Sequence, residues 1–397
     1  MRSHKTQFSF WLSGFIDAEG NFQVFLDRQY LRTQFRIRLH IDDVDVLYKI
    51  KEFLGVGTVE KYNDNCLYSI RNIKEMNQIL FPLLDPHKLI STKYLDYIDF
   101  KLVVNYLTHS NSTRLSEEKL EWAKDIMKNM NSGRTSYNYS LITKDLIEIN
   151  PYWLLGFIEG EATFGFKNLS PYFQLGQHIR SRYLLQQISL YLQSLPKTFT
   201  FTKNSKPPRI SNALHTNATI SVISIQNVDA LYDYLLFFLL NLPFQSRKAV
   251  DFYYWSIALH LNKFGHFYVT DGFQLAVEIA KYINKARYST NENKVNPPSI
   301  TTINNILQLD LPIKLTEEML HIDLARSYSR LNKNRKIWIY DKNKLLRSEP
   351  FTTYVDAMVA IGYSRNSTAA RRTINTGKLV GGRFTFFSKL QNFKEDD

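Results

Sequence analysis

The sequence predicts an α+β fold of two pseudo-symmetric αββαββα halves, followed by a small C-terminal helix-turn-helix-like module. Three observations lead there. The pattern WLSGFIDAEGNF at Trp11 returns as WLLGFIEGEATF at Trp153. Later pairs keep one spacing, with Asn72 and Asn227, Lys93 and Lys248, and Asp96 and Asp251 each 155 positions apart. Between them, NFQVFLD and QFRIRLHI alternate apolar and polar residues with period two, as half-exposed strands do. Self-similarity at a long period marks repeated structural units.

The elements follow in order. An apolar helix covers about Ser9 to Glu19 and leads into those two strands. DVDVLYKIKEFLG is an amphipathic helix that Gly55 stops. GTVEKYN and CLYSIR are the next two strands, and NIKEMNQILFPLL and STKYLDYIDFKLVVNYL close the half as helices. The second half repeats the order from Asn150-Pro151, a plausible N-cap and first-turn pair. Glu19 and Glu161 are only 142 apart, so the second half holds a net insertion of 13, placed in the hairpin-like KTFTFTKNSKPPRISNALHTN. The expected boundaries are 1–137 and 138–290 for the halves, 291–335 for a linker and helical segment, and 336–397 for the module.

In that module a short strand precedes a helix from about Thr352 to Ala360, a turn at Gly362, and a helix from about Ser364 to Asn375 stopped by Gly377. Two short helices joined at glycine fit a helix-turn-helix. Arg365, Arg371 and Arg372 on the second helix suit a groove and its phosphates. A small packing domain is the alternative.

Composition narrows the partner. The chain has 397 residues, a net charge of +13 and a pI near 9.4. Such an excess points to a polyanion, nucleic acid before anionic membrane, with a merely soluble basic protein as the alternative. One cysteine, Cys66, rules out an internal disulfide framework and a cysteine zinc site. No apolar run reaches the length of a membrane span. Trp11 lies too near the start to leave room for a signal or transit peptide, and the start itself fits a processed product. A monomer is expected. The Phe, Tyr, Ile, Lys and Asn bias suits an AT-rich genome such as a mitochondrial one.

Gly14 and Ala18 share one helix face, and Gly156 and Gly160 hold the same places in the second copy. Small residues at that spacing let two helix backbones approach closely. Both helices end in acid, Asp17 and Glu19 in one and Glu159 and Glu161 in the other. Negative charge there costs about 0.3–1 kcal/mol against the helix dipole. Two carboxylates about 4 Å apart repel by a further ~4 kcal/mol at an effective dielectric of 20. Divalent cations relieve both costs, and carboxylates with backbone carbonyls and water suit Mg²⁺. Metals shared by two carboxylates beside a phosphate backbone suit in-line phosphodiester hydrolysis. Solvated acidic helix ends are the bland alternative. Arg28, Arg32, Arg36, Arg38 and Lys61 in the first strand region, and Lys167, Gln174, Gln177, Arg180, Arg182, Lys203, Lys206 and Arg209 in the second, are candidates for DNA contact. Arginine and glutamine on alternating strand positions read base edges, while lysine mostly meets phosphate.

At these residues the sequence resembles the LAGLIDADG homing endonucleases, in the single-chain form with two motif copies. LSGFIDAEG (Leu12 to Gly20) and LLGFIEGEA (Leu154 to Ala162) match the nine-residue signature, and the resemblance runs over roughly residues 8–290. It implies a saddle of strands over double-stranded DNA, and Mg²⁺-dependent cleavage of both strands of a long, asymmetric target. It implies metal binding by Glu19 and Glu161, with backbone oxygens at Ala18 and Gly160 beside them. It gives Asp17 and Glu159 an interface role. Lys93 and Lys248 match the family's basic residue by segment, although phosphate contact or a helix-end surface role fits them equally. Gln177 matches a strand glutamine near the site, where the first half has Leu39. Ala162 replaces the motif's final glycine; in a left-handed cap it would cost about 1–2 kcal/mol. Genes of this family usually lie in introns. Some relatives act as maturases that bind group I intron RNA and aid splicing, which is the runner-up reading; a DNA-binding regulator without cleavage is a third.

Overall fold

The computed structural model describes residues 4–110, 114–143, 148–195, 211–214, 219–284, 288–331, 336–391 and 393. They form two compact units, one of residues 1–259 with 280–296 and one of residues 260–279 with 297–397. The tail that the sequence divides at residue 336 thus packs as one unit with a piece of the second half.

The first unit holds the duplication. Each half has a four-stranded antiparallel sheet, ordered β1-β2-β4-β3 and β5-β6-β8-β7. In the first, β1 is Gly20–Asp27, β2 Tyr30–His40, β3 Thr58–Lys61 and β4 Asn65–Ile70. In the second, β5 is Ala162–Lys167, β6 Ser170–His178, β7 Ser211–Leu214 and β8 Ile220–Ile225. The α+β class and the pseudo-symmetry expected from the sequence are both present.

Register refines the alignment. Gly20 pairs with Ile37 and Ala162 with Leu175, so the second opening hairpin is four residues shorter. The offset between halves is therefore 142 in β1 and 138 in β2, and reaches 155 by Asn72 and Asn227. Local devices repeat as well. Asn72 and Asn227 both cap a helix through their side-chain oxygens. Each of those helices then widens into a π turn, at Met76–Leu80 and Leu231–Leu236. Asn131 and Asn284 both take positive φ, donate their backbone N–H to Asp96 and Asp251, and bond Phe22 O and Phe164 O through their side chains. Two helices whose ends alone repeat visibly in the sequence, Glu117–Lys128 and Thr270–Tyr282, lead into those asparagines.

The strand alternation explains the cores. Phe22 faces inward onto Tyr97 and Phe100 of the helix Lys93–His109, with Phe35 beside it. Phe164 and Phe173 are their counterparts, with Phe252 and Trp255 beneath. Each fully buried ring of this kind contributes about 1.5–3 kcal/mol by leaving water.

In the second unit, Tyr268 stacks on Tyr328 at 4.9 Å, and Gly265 (φ +96°) lets the chain pass against that ring. The C-terminal module is a three-stranded sheet, β10-β9-β11, with two short helices. Its strands are β9 Trp338–Asp341, β10 Lys344–Leu345 and β11 Phe384–Phe387. Ile339, Met358, Ala370 and Phe386 form its core. The first helix, Tyr354–Ala360, falls where the sequence puts it. The second is only Ala369–Thr373, much shorter than the Ser364–Asn375 expected. Ser364 and Ser367 instead accept backbone N–H groups locally, and Asn375 turns to φ +59° to donate its N–H to Phe386 O. Serine, threonine and asparagine offer the backbone such alternatives to helix.

Candidate nuclease centre

The two motif helices, His4–Glu19 and Pro151–Glu161, pack directly on each other. The glycines make this possible. A Cβ on Gly14 would lie 1.9 Å from Trp153 O, and one on Gly156 would lie 2.0 Å from Trp11 O. One on Gly160 would meet the Ala18 Cβ at 2.4 Å.

Across this contact each half serves the other. Trp11 Nε1 donates to Glu159 Oε1 at 2.7 Å, and Trp153 Nε1 donates to Asp17 Oδ2 at 3.1 Å. Asp17 also accepts Ile90 N, Ser91 N and Ser91 Oγ, while Glu159 accepts Gln245 N, Ser246 N and Ser246 Oγ. These donors lie just before the helices Lys93–His109 and Lys248–Phe264. Asp17 and Glu159 therefore stand at the unfavourable end of their own helix and at the favourable, N-terminal end of the next. Burial pushes both carboxyls up, and these hydrogen bonds oppose it.

One turn-end further, Glu19 and Glu161 come together. Burial, then the neighbouring Glu161, pushes the Glu19 carboxyl up to about 7, with Lys93 and Lys248 acting against the rise. Burial also raises Glu161, opposed by a hydrogen bond from Gln177 and by the same two lysines. Lys93 Nζ donates to Ile16 O at 3.1 Å and Ala18 O at 2.8 Å; Lys248 Nζ donates to Ala162 O at 2.8 Å. Lys93 thus holds the last carbonyls of its motif helix, and Lys248 holds the carbonyl of the residue that follows the other. Burial lowers the Lys93 ammonium against the pull of Asp17, Glu161 and Glu19.

A cleft of about 420 Å³ opens here, lined by Glu19, Arg38, Leu39, His40, Asp43, Asn65, Gly160, Lys248 and Tyr288. Leu39 marks the difference between the two sides, since its counterpart on the other, Gln177, reaches Glu161. Ala162 is extended (φ −85°, ψ 155°), so the left-handed cap that would penalise it does not arise.

Among the described residues no three His, Cys, Asp or Glu side chains gather as a metal site. The donors present are two carboxylates raised by burial and backbone carbonyls such as Ala18 O. That set fits a hard cation which keeps several waters and takes further oxygens from a phosphate.

The basic residues divide by position. Arg32, Arg36 and Arg38 alternate along β2, on the face opposite Phe35 and Ile37. Arg36 is held by Asn21 and Arg38 by Asn65, and Arg32 lies 3.9 Å from Asp27. Arg28 sits in the β1–β2 turn with φ +59°, and Lys61, over the Tyr48 ring, ends β3. Lys167 ends β5, and Gln174 stands in β6 at the place of Arg36. Arg180 and Arg182 are not on strands. Arg180 lies in the turn Ile179–Ser181 and donates to Tyr137 OH at 2.7 Å; Arg182 opens the helix Arg182–Gln193. Lys203, Lys206 and Arg209 fall outside the described residues. In the module Arg365 and Arg372 are exposed, and Arg365 precedes the short helix. Arg371 instead lies over the Phe267 and Phe273 rings at 4.9 and 4.1 Å and donates to Phe267 O. The paired tryptophans were not singled out from the sequence; their repetition within the motif was the available signal.

Residues 12–104 match the model of a family described as LAGLIDADG endonuclease. The uncharacterized mitochondrial protein RF1 of Saccharomyces cerevisiae is 26% identical over 94% of this chain and 80% of its own length. The probable intron-encoded endonuclease 3 of Neurospora crassa is 26% identical over 49% of this chain, which spans only 40% of that relative. The crystal structure of the LAGLIDADG homing endonuclease I-GzeII in complex with a DNA target shares the fold, with a TM-score of 0.58 and 22% identity over 70% of this chain and 99% of that one.

Proposed function

We propose that this chain, a member of the LAGLIDADG endonuclease family, is an intron-encoded, site-specific DNA endonuclease that cuts both strands of a long asymmetric duplex. The observation that carries the proposal is the pair Glu19 and Glu161. They stand half-buried beside each other at matched positions, each near a helix-opening lysine. The likeness to a mitochondrial yeast protein supports a mitochondrial setting.

Glu19, Glu161 and the adjacent backbone oxygens of Ala18 and Gly160 would hold Mg²⁺. Bound there, the ion would polarise the scissile phosphate and lower the pKa of a water. The protein supplies the rest. The rigid helix pair fixes the spacing of the two carboxylates, and their mutual repulsion reserves the site for cations. Lys93 and Lys248 place positive charge where a phosphate accumulates negative charge. Gln177 orients Glu161 on one side only. Arg32, Arg36, Arg38 and Gln174 offer donors toward base edges, and Arg28, Lys61 and Lys167 suit phosphates.

The test uses a target recovered from a randomised plasmid library by the wild-type protein, cut in Mg²⁺. Glu19→Gln and Glu161→Gln should each abolish double-strand cleavage and still bind the target in Ca²⁺. Undiminished cutting by either variant refutes the assignment. Binding without cutting by the wild type, together with faster splicing of an intron RNA, would establish the maturase reading instead.

A further inference from the structure

The two junctions between the halves differ in charge. At one, Asp42 receives Arg247 Nη1 at 2.7 Å, Ser289 N at 2.7 Å and the Ser289 hydroxyl. Arg247 N–H donates to Asp43 at 3.3 Å. His40 stacks on Tyr288 at 4.1 Å and bonds the Thr290 hydroxyl at 2.8 Å. Asp42 thus ties two segments of the second half to the first: the start of the helix Lys248–Phe264, and the chain that returns after residue 287.

At the other junction the same places hold different chemistry. The 138 offset puts Arg180 where Asp42 stands and Ser181 where Asp43 stands, and the 155 offset puts Thr92 in the place of Arg247. His40 and His178 confirm the register, since each accepts through Nδ1 the N–H of the residue two positions on. There, the Thr92 and Ser181 hydroxyls meet at 3.4 Å, and Arg180 turns to Tyr137. Hydroxyls meet on one side where charges meet on the other.

Arg247 directly precedes Lys248, whose ammonium holds Ala162 O at the site. We propose that Asp42 is a positioning residue for Lys248. It fixes the first turn of the lysine helix through Arg247, so that cleavage of one strand depends on it and cleavage of the other does not. The Asp42 side chain is only 12% exposed and carries two independent anchors, so the grip is well defined. A catalytic group displaced by about 1 Å can lose up to a hundredfold in rate. The inference rests on the endonuclease reading.

The test is strand-resolved. The selected target is labelled on each strand in turn and cut under single-turnover conditions in Mg²⁺, with affinity measured separately in Ca²⁺. Asp42→Asn should slow one strand roughly tenfold or more, leave the other within about twofold, and bind the target as the wild type does. Asp42→Glu should restore most of the lost rate. Arg247→Gln breaks the same ion pair from the other side, keeps the Ser289 bonds, and should give the same one-strand defect. Equal slowing of both strands, or no slowing, overturns the proposal while the wild type still cuts. A wild type that cuts neither strand overturns the endonuclease reading itself.

Discussion

Consider alanine in place of Gly156. The new methyl carbon would stand 2.0 Å from Trp11 O and 2.8 Å from Phe15 N. Both are backbone atoms, so no side-chain rotation makes room, and the two helices must part by more than about 1 Å to reach ordinary contact. Overpacking of this kind costs about 1–3 kcal/mol. Parting also stretches the Trp11–Glu159 bond of 2.7 Å and the Trp153–Asp17 bond of 3.1 Å, both to buried carboxylates. A weakened donor to a buried acceptor adds about 1–3 kcal/mol. The combined loss of roughly 2–6 kcal/mol should lower the melting temperature of the metal-free protein by on the order of 10 °C. Circular dichroism measures it, with Gly176→Ala as control because its methyl would find nothing nearer than 3.8 Å. A Gly156→Ala protein that melts within about 2 °C of the wild type would refute the close-approach reasoning.

Two further outcomes follow from the same site. The Glu19 carboxyl is raised from its ordinary 4.5 to about 7, so between those pH values the folded state holds a proton that the unfolded state has released. Metal-free stability should therefore fall as pH rises from about 4.5 to 7, by on the order of 3 kcal/mol. Glu19→Gln should flatten that slope in melts with chelator; a slope equal to the wild type's would contradict it. Trp11→Phe keeps the ring and removes the donor to Glu159, and should cost about 1–3 kcal/mol in denaturant melts, with Trp153→Phe comparable. A loss confined to one of the two would argue against the reciprocal arrangement.

Much of this was legible because the chain is written twice. Duplication exposes what a single copy hides. Gly14 and Gly156, Glu19 and Glu161, and Lys93 and Lys248 stand out only through their partners. The features that escaped are those that differ between copies or join them. The Trp–carboxylate exchange is a contact over 148 positions between residues that read as ordinary core aromatics and helix-end acids. Asp42 and Arg180 occupy one structural place with opposite charge, so alignment by similarity passes over them. Arg371 shows the limit of composition. A cation on a short helix reads as a phosphate contact, but two phenylalanines of its own unit take it. The second module helix was overestimated because the Ser364 and Ser367 hydroxyls accept the backbone N–H groups of Asn366 and Ala369 locally.

The reciprocal tryptophans also bear on how the protein is made. Asp17 is buried in the finished fold, yet one of its donors, Trp153, is synthesised 136 residues later. At roughly 5–20 residues per second, the ribosome needs on the order of 10 s to deliver it. During that interval the face of the first motif helix around Gly14 and Phe15 has nothing to pack against. A nascent first half is thus sticky toward any similar surface, including that of a neighbouring nascent chain on the same message. The helix pair that joins the two finished halves is, during translation, the place where two chains are most prone to join in error.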